Sequence, residues 1–208
     1  GVRNTAIGTN ALLSNTSGSY NAALGMQALN SNTTASNNTA VGYQAGYSNS
    51  TGSENTAAGF QAMYSNTTGP NNTALGYQAM YSNTTGGYNT AIGREALKSV
   101  TSAGAANVAI GYQAAFSTTA SNNTAVGYTA LQQNSSGSAL TAVGLEALLN
   151  NTTATGNTGL GYQAARANTT GTVTAVGYRA GYSNTTGNYN TTVGLSSLES
   201  NTTGTHNS

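Results

Sequence analysis

The chain has 208 residues, of which only 4% are charged, and its formal net charge is +1. Charges this sparse cannot build the basic patch that nucleic-acid backbones require or a polybasic membrane anchor. The absence of cysteine excludes disulfides, thiolate metal sites and cysteine nucleophiles. No apolar run approaches the roughly 18 residues of a membrane span. We therefore expect no nucleic-acid partner and no membrane insertion by this segment.

A five-residue motif, Asn-Thr-Ala-[Val/Ile/Leu]-Gly, recurs along the whole chain. It first occurs at residues 4–8 and returns every 17 residues, with steps of 16 to 18 in the second half. The repeats start near residues 4, 21, 38, 55, 72, 89, 107, 123, 140, 157, 173 and 190. A fixed short period is the signature of a solenoid. We predict that residues 1–208 form a single continuous repeat array.

Each repeat joins a strand segment to a turn segment. From the leading Asn to the second Ala, Thr, a branched residue, Tyr and Gln alternate with Ala and Gly, and the Ser-Asn-Thr-Thr-Gly that ends most repeats clusters turn formers. Seventeen residues are too few for the helix pairs of helical solenoids, whose periods are about 33 to 47 residues. The sequence predicts an all-β fold, a parallel β-solenoid (β-roll) of about twelve 17-residue coils.

The glycine that ends the motif is present in all twelve repeats. An unbroken glycine column indicates a place where a side chain would collide with backbone, or where the backbone needs a positive φ. These predicted structural glycines are Gly8, Gly25, Gly42, Gly59, Gly76, Gly93, Gly111, Gly127, Gly144, Gly161, Gly177 and Gly194.

The interior of such a coil is expected to be thin. One coil would bury two Ala, one Val-sized group and one Leu, which is marginal against the entropy of ordering the coil. A partner chain with a second buried face would make up the difference. We also expect a bulge or a change of face where the repeat gains a residue, at 100–106, and where it loses one, at 117–122.

Two segments carry a resemblance to a known family. Asn107-Val108-Ala109-Ile110-Gly111 resembles the head-domain repeat of trimeric autotransporter adhesins, in which a similar core recurs once per coil of a left-handed parallel β-roll. The longer form at 77–86 resembles repeats of phage tail-fibre-like and large bacterial surface proteins. The resemblance covers essentially the whole chain, although the repeat here is longer than in the adhesin heads. It implies three parallel chains packed side by side in an extracellular fibre.

Residues that could carry catalysis are few and scattered. The one histidine, His206, lies in the last turn without acids near it in sequence, and the four glutamates, Glu54, Glu95, Glu146 and Glu199, lie in different repeats. Neither a metal site nor a triad can be made from one imidazole. We predict that the chain is not an enzyme and has no cofactor, metal or catalytic site.

Aromatic residues recur at two positions of the repeat and should form ladders in a stack. The candidates are Tyr43, Phe60 and Tyr77 at the sixth position, and Tyr47, Tyr64 and Tyr81 at the tenth. Such ladders could hold carbohydrate or a partner surface. Stacking between coils or chains explains them as simply, and we favour that interpretation.

The turn segment contains a column of N-glycosylation sequons. The candidate attachment sites are Asn15, Asn32, Asn66, Asn83, Asn134, Asn151, Asn168, Asn184 and Asn201. A sequon has meaning only where the host glycosylates. Asparagine ladders and turn hydrogen bonds account for the column without a glycan, and we favour that explanation.

The sequence therefore favours a structural and adhesive segment of an extracellular fibre, a bacterial surface adhesin or a phage tail fibre. It would be located outside the cell, on a cell surface or virion, and its partners would be itself, as a homotrimer or filament, and host-surface glycan or protein. One alternative is a filament protomer whose solenoid ends stack head to tail, since uncapped coils present strand edges. A second alternative is an ice-binding β-solenoid, because regular threonine arrays can order water.

Overall fold

The computed structural model describes residues 1–100 and 104–208, and one short strand forms in every repeat. The strands are β1 Thr5–Ile7, β2 Ala22–Leu24, β3 Thr39–Val41, β4 Thr56–Ala58, β5 Thr73–Leu75, β6 Thr90–Ile92, β7 Val108–Ile110, β8 Thr124–Val126, β9 Thr141–Val143, β10 Thr158–Leu160, β11 Val173–Val176 and β12 Asn190–Val193. No helix occurs within the two described ranges. The chain is an all-β parallel β-solenoid of about 11 turns, close to the count predicted from the repeats.

The strands are arranged in two compact units, residues 1–106 and 107–208. In the first unit β1 to β6 pair in chain order, and in the second β7 to β12 do the same, every pair being parallel. Equivalent residues of the repeat lie opposite each other, as in the pairing of Ala40 with Ala57. Each column of the repeated sequence is therefore a physical column along the stack.

The same face of the strand is buried on both sides of the described irregular repeat. The 117–122 deletion lies between β7 and β8, which pair in register, and in both strands the central alanine is the buried residue. The expected change of face is absent at this described position. The inserted residues include 101–103, which lie outside the described residues, so the bulge expected there stays a prediction.

The solenoid interior is built from small side chains. The central alanine of most strands and the second alanine of the repeat are fully buried, as are the Leu or Met side chains that follow it, such as Met63 and Met80. The Val, Ile or Leu of the strand points outward instead, with Val41 41% exposed. The sequence could not assign this direction, because the outward Thr and Val and the inward Ala and Gly are all compatible with burial.

The backbone of each coil closes through residues with positive φ. The motif glycines have φ between +123° and +140°, and the described coils also place non-glycine residues at φ near +55°. In the third coil, for example, Gln44 has φ +53° and Glu54 has φ +62°. Left-handed residues cost roughly 1–2 kcal/mol each, so the tight coil depends on stacking against its neighbours.

Candidate functional surfaces

The outward residues of the strands form one surface on each unit, which we call the sheet face. It consists of a column of mostly threonine and, two residues along, a column of aliphatic residues, as in Thr39 and Val41 of β3. Along most strands both columns are exposed or half-buried, while the alanine between them is buried. The sheet face is thus a regular, uncharged and partly apolar surface.

The six aromatic candidates form two stacked ladders in the first unit. At the sixth position Tyr43, Phe60 and Tyr77 stack with ring centroids 5.3 and 5.2 Å apart. At the tenth position Tyr47, Tyr64 and Tyr81 stack at 5.1 and 5.2 Å. In both ladders the middle ring is covered on its two faces, so the ladder presents ring edges to solvent.

The tenth-position ladder is half-buried, and this affects the hydroxyl group of its middle ring, Tyr64. Burial raises the pKa of the Tyr64 phenol, and the neighbouring Tyr47 and Tyr81 raise it further. The stacked rings of this ladder act as packing along the stack. The sixth-position ladder is more exposed and borders the sheet face.

The sequon asparagines form a buried hydrogen-bonded column, which we call the turn asparagines. Asn66 is 0% exposed and its Nδ2 donates both to Asn49 Oδ1 at 2.8 Å and to the Gly69 carbonyl at 3.0 Å. Its Oδ1 accepts from Asn83 Nδ2 at 2.8 Å. Most members repeat this pattern, and Asn32, Asn83, Asn134, Asn151, Asn168 and Asn184 are also buried.

A glycan cannot be attached to a buried amide whose hydrogens are both donated. For those seven asparagines, glycosylation would have to precede folding and would displace the column. Asn15 and Asn201 are only partly buried, although each donates Nδ2 hydrogen bonds of the same kind. The geometry therefore favours the structural explanation of the sequons.

The leading asparagines of the repeats form a second buried column. Asn55 Nδ2 donates to the Gly69 carbonyl at 2.9 Å and closes its own coil, while its Oδ1 accepts the backbone N–H of Asn72 in the next coil at 2.9 Å. Leu140 and Val173 replace this asparagine in two coils. The two columns satisfy backbone groups that a thin interior leaves away from water.

Charged residues are concentrated around the tenth position of the last repeats, in the second unit. Glu146 pairs with Arg166 at 2.6 Å, and Arg179 pairs with Glu199 at 2.9 Å. The Arg179 guanidinium lies 4.2 Å from the Tyr182 ring centroid. The hydrogen bond from Arg166 lowers the pKa of the Glu146 carboxyl, while partial burial acts in the opposite direction. Because each charge is paired, this cluster offers no free charge to a ligand.

The ion pair between Glu146 and Arg166 should make the thermal stability of the chain depend on pH. A carboxyl whose pKa is lowered in the folded chain contributes stability that is present above its ordinary pKa of 4.5 and is lost as the pH falls through the folded value. We expect the melting temperature to fall as the pH is lowered below about 4.5, and Glu146→Gln to reduce that fall. Thermal melts of both chains between neutral and acid pH measure it; parallel curves would contradict the assignment.

Residues that could serve catalysis or metal binding are sparse in the described part of the chain. His206 is exposed, and its ring lies 5.0 Å from that of Tyr189. Residues 1–100 and 104–208 contain no group of three or more His, Cys, Asp or Glu side chains able to hold a metal ion. Nor does a membrane-spanning helix occur in those ranges. That the chain is not an enzyme and needs no cofactor stays a prediction.

Comparison with known protein families, curated proteins and solved structures returned no match for this chain. The likeness to adhesin heads and tail fibres therefore stays a resemblance carried by the repeat motif. One feature of the surface escaped sequence reasoning, the outward direction of the aliphatic column, which has no signal in a single repeat. The ladder of turn asparagines was expected from the sequence, since an asparagine kept in nearly every repeat at one position indicates a shared structural role.

Proposed function

We propose that this chain is a structural and adhesive repeat segment of an extracellular fibre, on a cell surface or a virion, in which copies associate side by side. The observation that carries the proposal is the sheet face, where aliphatic side chains are exposed in a regular column instead of filling the interior. Large exposed apolar patches on a protein surface mark interaction sites. The low charge of the chain adds little repulsion between copies.

A homotrimer is the assembly that we favour. The interior of an isolated coil is mostly alanine and asparagine, and its backbone holds several residues at positive φ. Burying the aliphatic column of the sheet face against neighbouring copies adds roughly 25 cal/mol for every Å² of apolar surface. Three parallel copies fit the resemblance to trimeric adhesin heads and allow each copy to bury the same column.

Adhesion would follow from repetition. A stiff fibre that presents the same surface many times gains avidity through effective concentration, even where each site is weak. Exposed sixth-position rings occur in three coils of each unit, and the outward threonines occur in most coils of both units. We expect such a surface to bind a glycan or a protein on a host surface.

The association is tested with two lysine substitutions on the sheet face, Val41→Lys and Val143→Lys in one chain. We expect the wild-type mass by light scattering to be near three times 20.7 kDa, and the variant to be monomeric, because a buried lysine loses its hydration. Thr68→Lys with Thr153→Lys is the matched control, since both residues are exposed on the turns. A monomeric wild type, or a variant that stays trimeric, contradicts side-by-side association through this face.

The same experiment separates the other candidate functions. A polydisperse wild type that grows with time would favour the head-to-tail filament. Ice binding gains support from one observation: the strand threonines form an outward column beside an aliphatic column, as on a flat water-ordering face. A monomeric wild type that lowers the freezing point of the solution below the melting point of ice would favour ice binding over the fibre.

A further inference from the structure

A cleft of about 310 Å³ interrupts the turns of the second unit. The repeat that begins at Asn157 has 16 residues before Val173 and lacks the last residue of the turn. In the column formed by the last residues of the turns, Gly156 is therefore followed by a gap and then by Tyr189 and His206. The Tyr189 N–H donates to Thr172 Oγ1 at 2.8 Å, whereas Tyr20 in a complete turn donates to the backbone oxygen of Val2. We call this cleft the notch.

The notch leaves one side of an aromatic ring without a neighbour in its column. The Tyr189 side chain is 69% exposed and lines the notch. On the side of the next coil its ring lies against His206, with centroids 5.0 Å apart. On the other side the deleted residue leaves a space that extends to Gly156, which has no side chain to fill it. This arrangement differs from the stacked ladders, whose middle rings are covered on both faces.

The remaining lining of the notch is uncharged and rich in hydroxyl groups. Thr172, Thr174 and Thr191 border it together with Val173, and no charged side chain does. Threonine hydroxyls both donate and accept hydrogen bonds. Thr172 Oγ1 already accepts from the Tyr189 N–H and donates to Asn188 Oδ1. Thr174 and Thr191 are therefore the threonines that would donate to a ligand. An aromatic platform beside neutral hydroxyl groups suits a ligand with one apolar face and a rim of hydroxyls. A neutral pyranose sugar has that chemistry, and the volume is sufficient for a single sugar residue.

We propose that the notch between Gly156 and Tyr189 binds one neutral sugar residue, with the pyranose ring stacked on Tyr189 and its hydroxyls bonded to the neighbouring threonines. The proposal goes beyond the fibre function, because it assigns binding to one irregular coil instead of the repeated surface. It also does not need a trimer, since every residue involved belongs to one chain.

The test measures binding of methyl glycosides of glucose, galactose, mannose and N-acetylglucosamine to the full chain by saturation-transfer NMR and titration. Affinity in the millimolar range is expected for such a shallow site, with sialic acid as the charged comparison. Tyr189→Ala should weaken binding at least about tenfold. Tyr88→Ala is the matched control, because Tyr88 is an exposed last residue of a turn in the first unit and has no deleted neighbour.

A second variant fills the notch without removing a side chain. Gly156→Tyr should fold, because a Cβ at Gly156 meets nothing within 4 Å and Tyr20 and Tyr88 occupy the same position at φ +60° and +61°. It should also weaken sugar binding at least about tenfold, by closing the space. Binding unchanged in both variants, or lost equally in Tyr88→Ala, overturns the proposal, as does a preference for sialic acid.

The experiment distinguishes failure of the sugar-site proposal from failure of the fibre proposal. The titration is repeated on the Val41→Lys and Val143→Lys chain, which is expected to be monomeric. If the monomeric variant binds sugar and the wild type does not, neighbouring copies cover the notch in the assembly, and the site is supported. No binding by either chain would overturn the sugar site while leaving the measured mass, and with it the fibre proposal, unaffected.

Discussion

Gly42→Ala is expected to destabilise the solenoid by about 3 to 5 kcal/mol, a large effect for the addition of one methyl group. Gly42 has φ +128°, a conformation that residues with a side chain rarely adopt. A Cβ at this position would also lie 2.6 Å from the carbonyl oxygen of Gly59 in the next coil. The Gly59 peptide is held in place, because its N–H donates to the Val41 carbonyl at 2.8 Å and its oxygen accepts from the Ala62 N–H. The collision can therefore be relieved only by disturbing the contact between the two coils.

The matched control lies in the same coil. Gly46 also has positive φ, at +61°, but its Cβ would meet only the end of the Leu29 side chain, at 3.0 Å. Ala115 and Ala165 occupy the equivalent position at φ +50° and +48°. We therefore expect Gly46→Ala to cost about 1 kcal/mol or less.

Urea unfolding and amide hydrogen exchange measure the difference between these two variants. Hydrogen exchange is needed because neighbouring coils of a repeat protein can open separately from the rest. The Gly59 amide, which donates to the Val41 carbonyl at 2.8 Å, reports directly on the affected pair of coils. Equal effects of Gly42→Ala and Gly46→Ala would show that positive φ alone, and not the collision with the next coil, explains the glycine column.

Asn66→Ala is expected to destabilise the chain by about 3 kcal/mol. The substitution removes two donated hydrogen bonds and one accepted bond, all buried. It takes away the donor of the buried Asn49 Oδ1 and one of the two acceptors of Asn83 Nδ2. The Gly69 carbonyl, by contrast, keeps the Nδ2 of Asn55 as a donor. An unsatisfied buried group costs about 1–3 kcal/mol, more than the net gain from an ordinary hydrogen bond. The effect should spread to the coils on both sides, because the column is continuous.

Thr68→Ala is the comparison for this prediction, since Thr68 belongs to the same turn and is exposed. Its expected effect is within about 0.5 kcal/mol. Both variants are compared with wild type by urea unfolding. If Asn66→Ala were as mild as Thr68→Ala, the turn asparagines would be replaceable turn formers and their buried bonds would not stabilise the stack.

The period of the sequence was sufficient to determine the main features of the fold. Short strands occur in all twelve repeats and stack in parallel register within each unit, because residues that recur at one interval must fall into columns when coils stack. The alanine columns of the interior could also be expected, since a coil of 17 residues encloses only a thin core, in which one Leu or Met accompanies the alanines in most coils. Turn formers marked the turns, because asparagine, threonine and glycine tolerate the backbone conformations required there.

Tertiary structure alone decided which side of each strand is buried. Thr39 and Val41 alternate with Ala40 and Gly42, and both pairs are small or apolar, so the strand pattern allows either direction. The choice follows from Gly42, which must pass under the Gly59 carbonyl, and from the left-handed residues that turn the chain inward after it. Likewise, the sequence favoured a ladder of turn asparagines, but only the closed coil buries these side chains against backbone carbonyls that need donors. The repeated sequence therefore determines the period of the solenoid. Which side chains are buried depends on contacts with the neighbouring coils, and these contacts exist only in the folded stack.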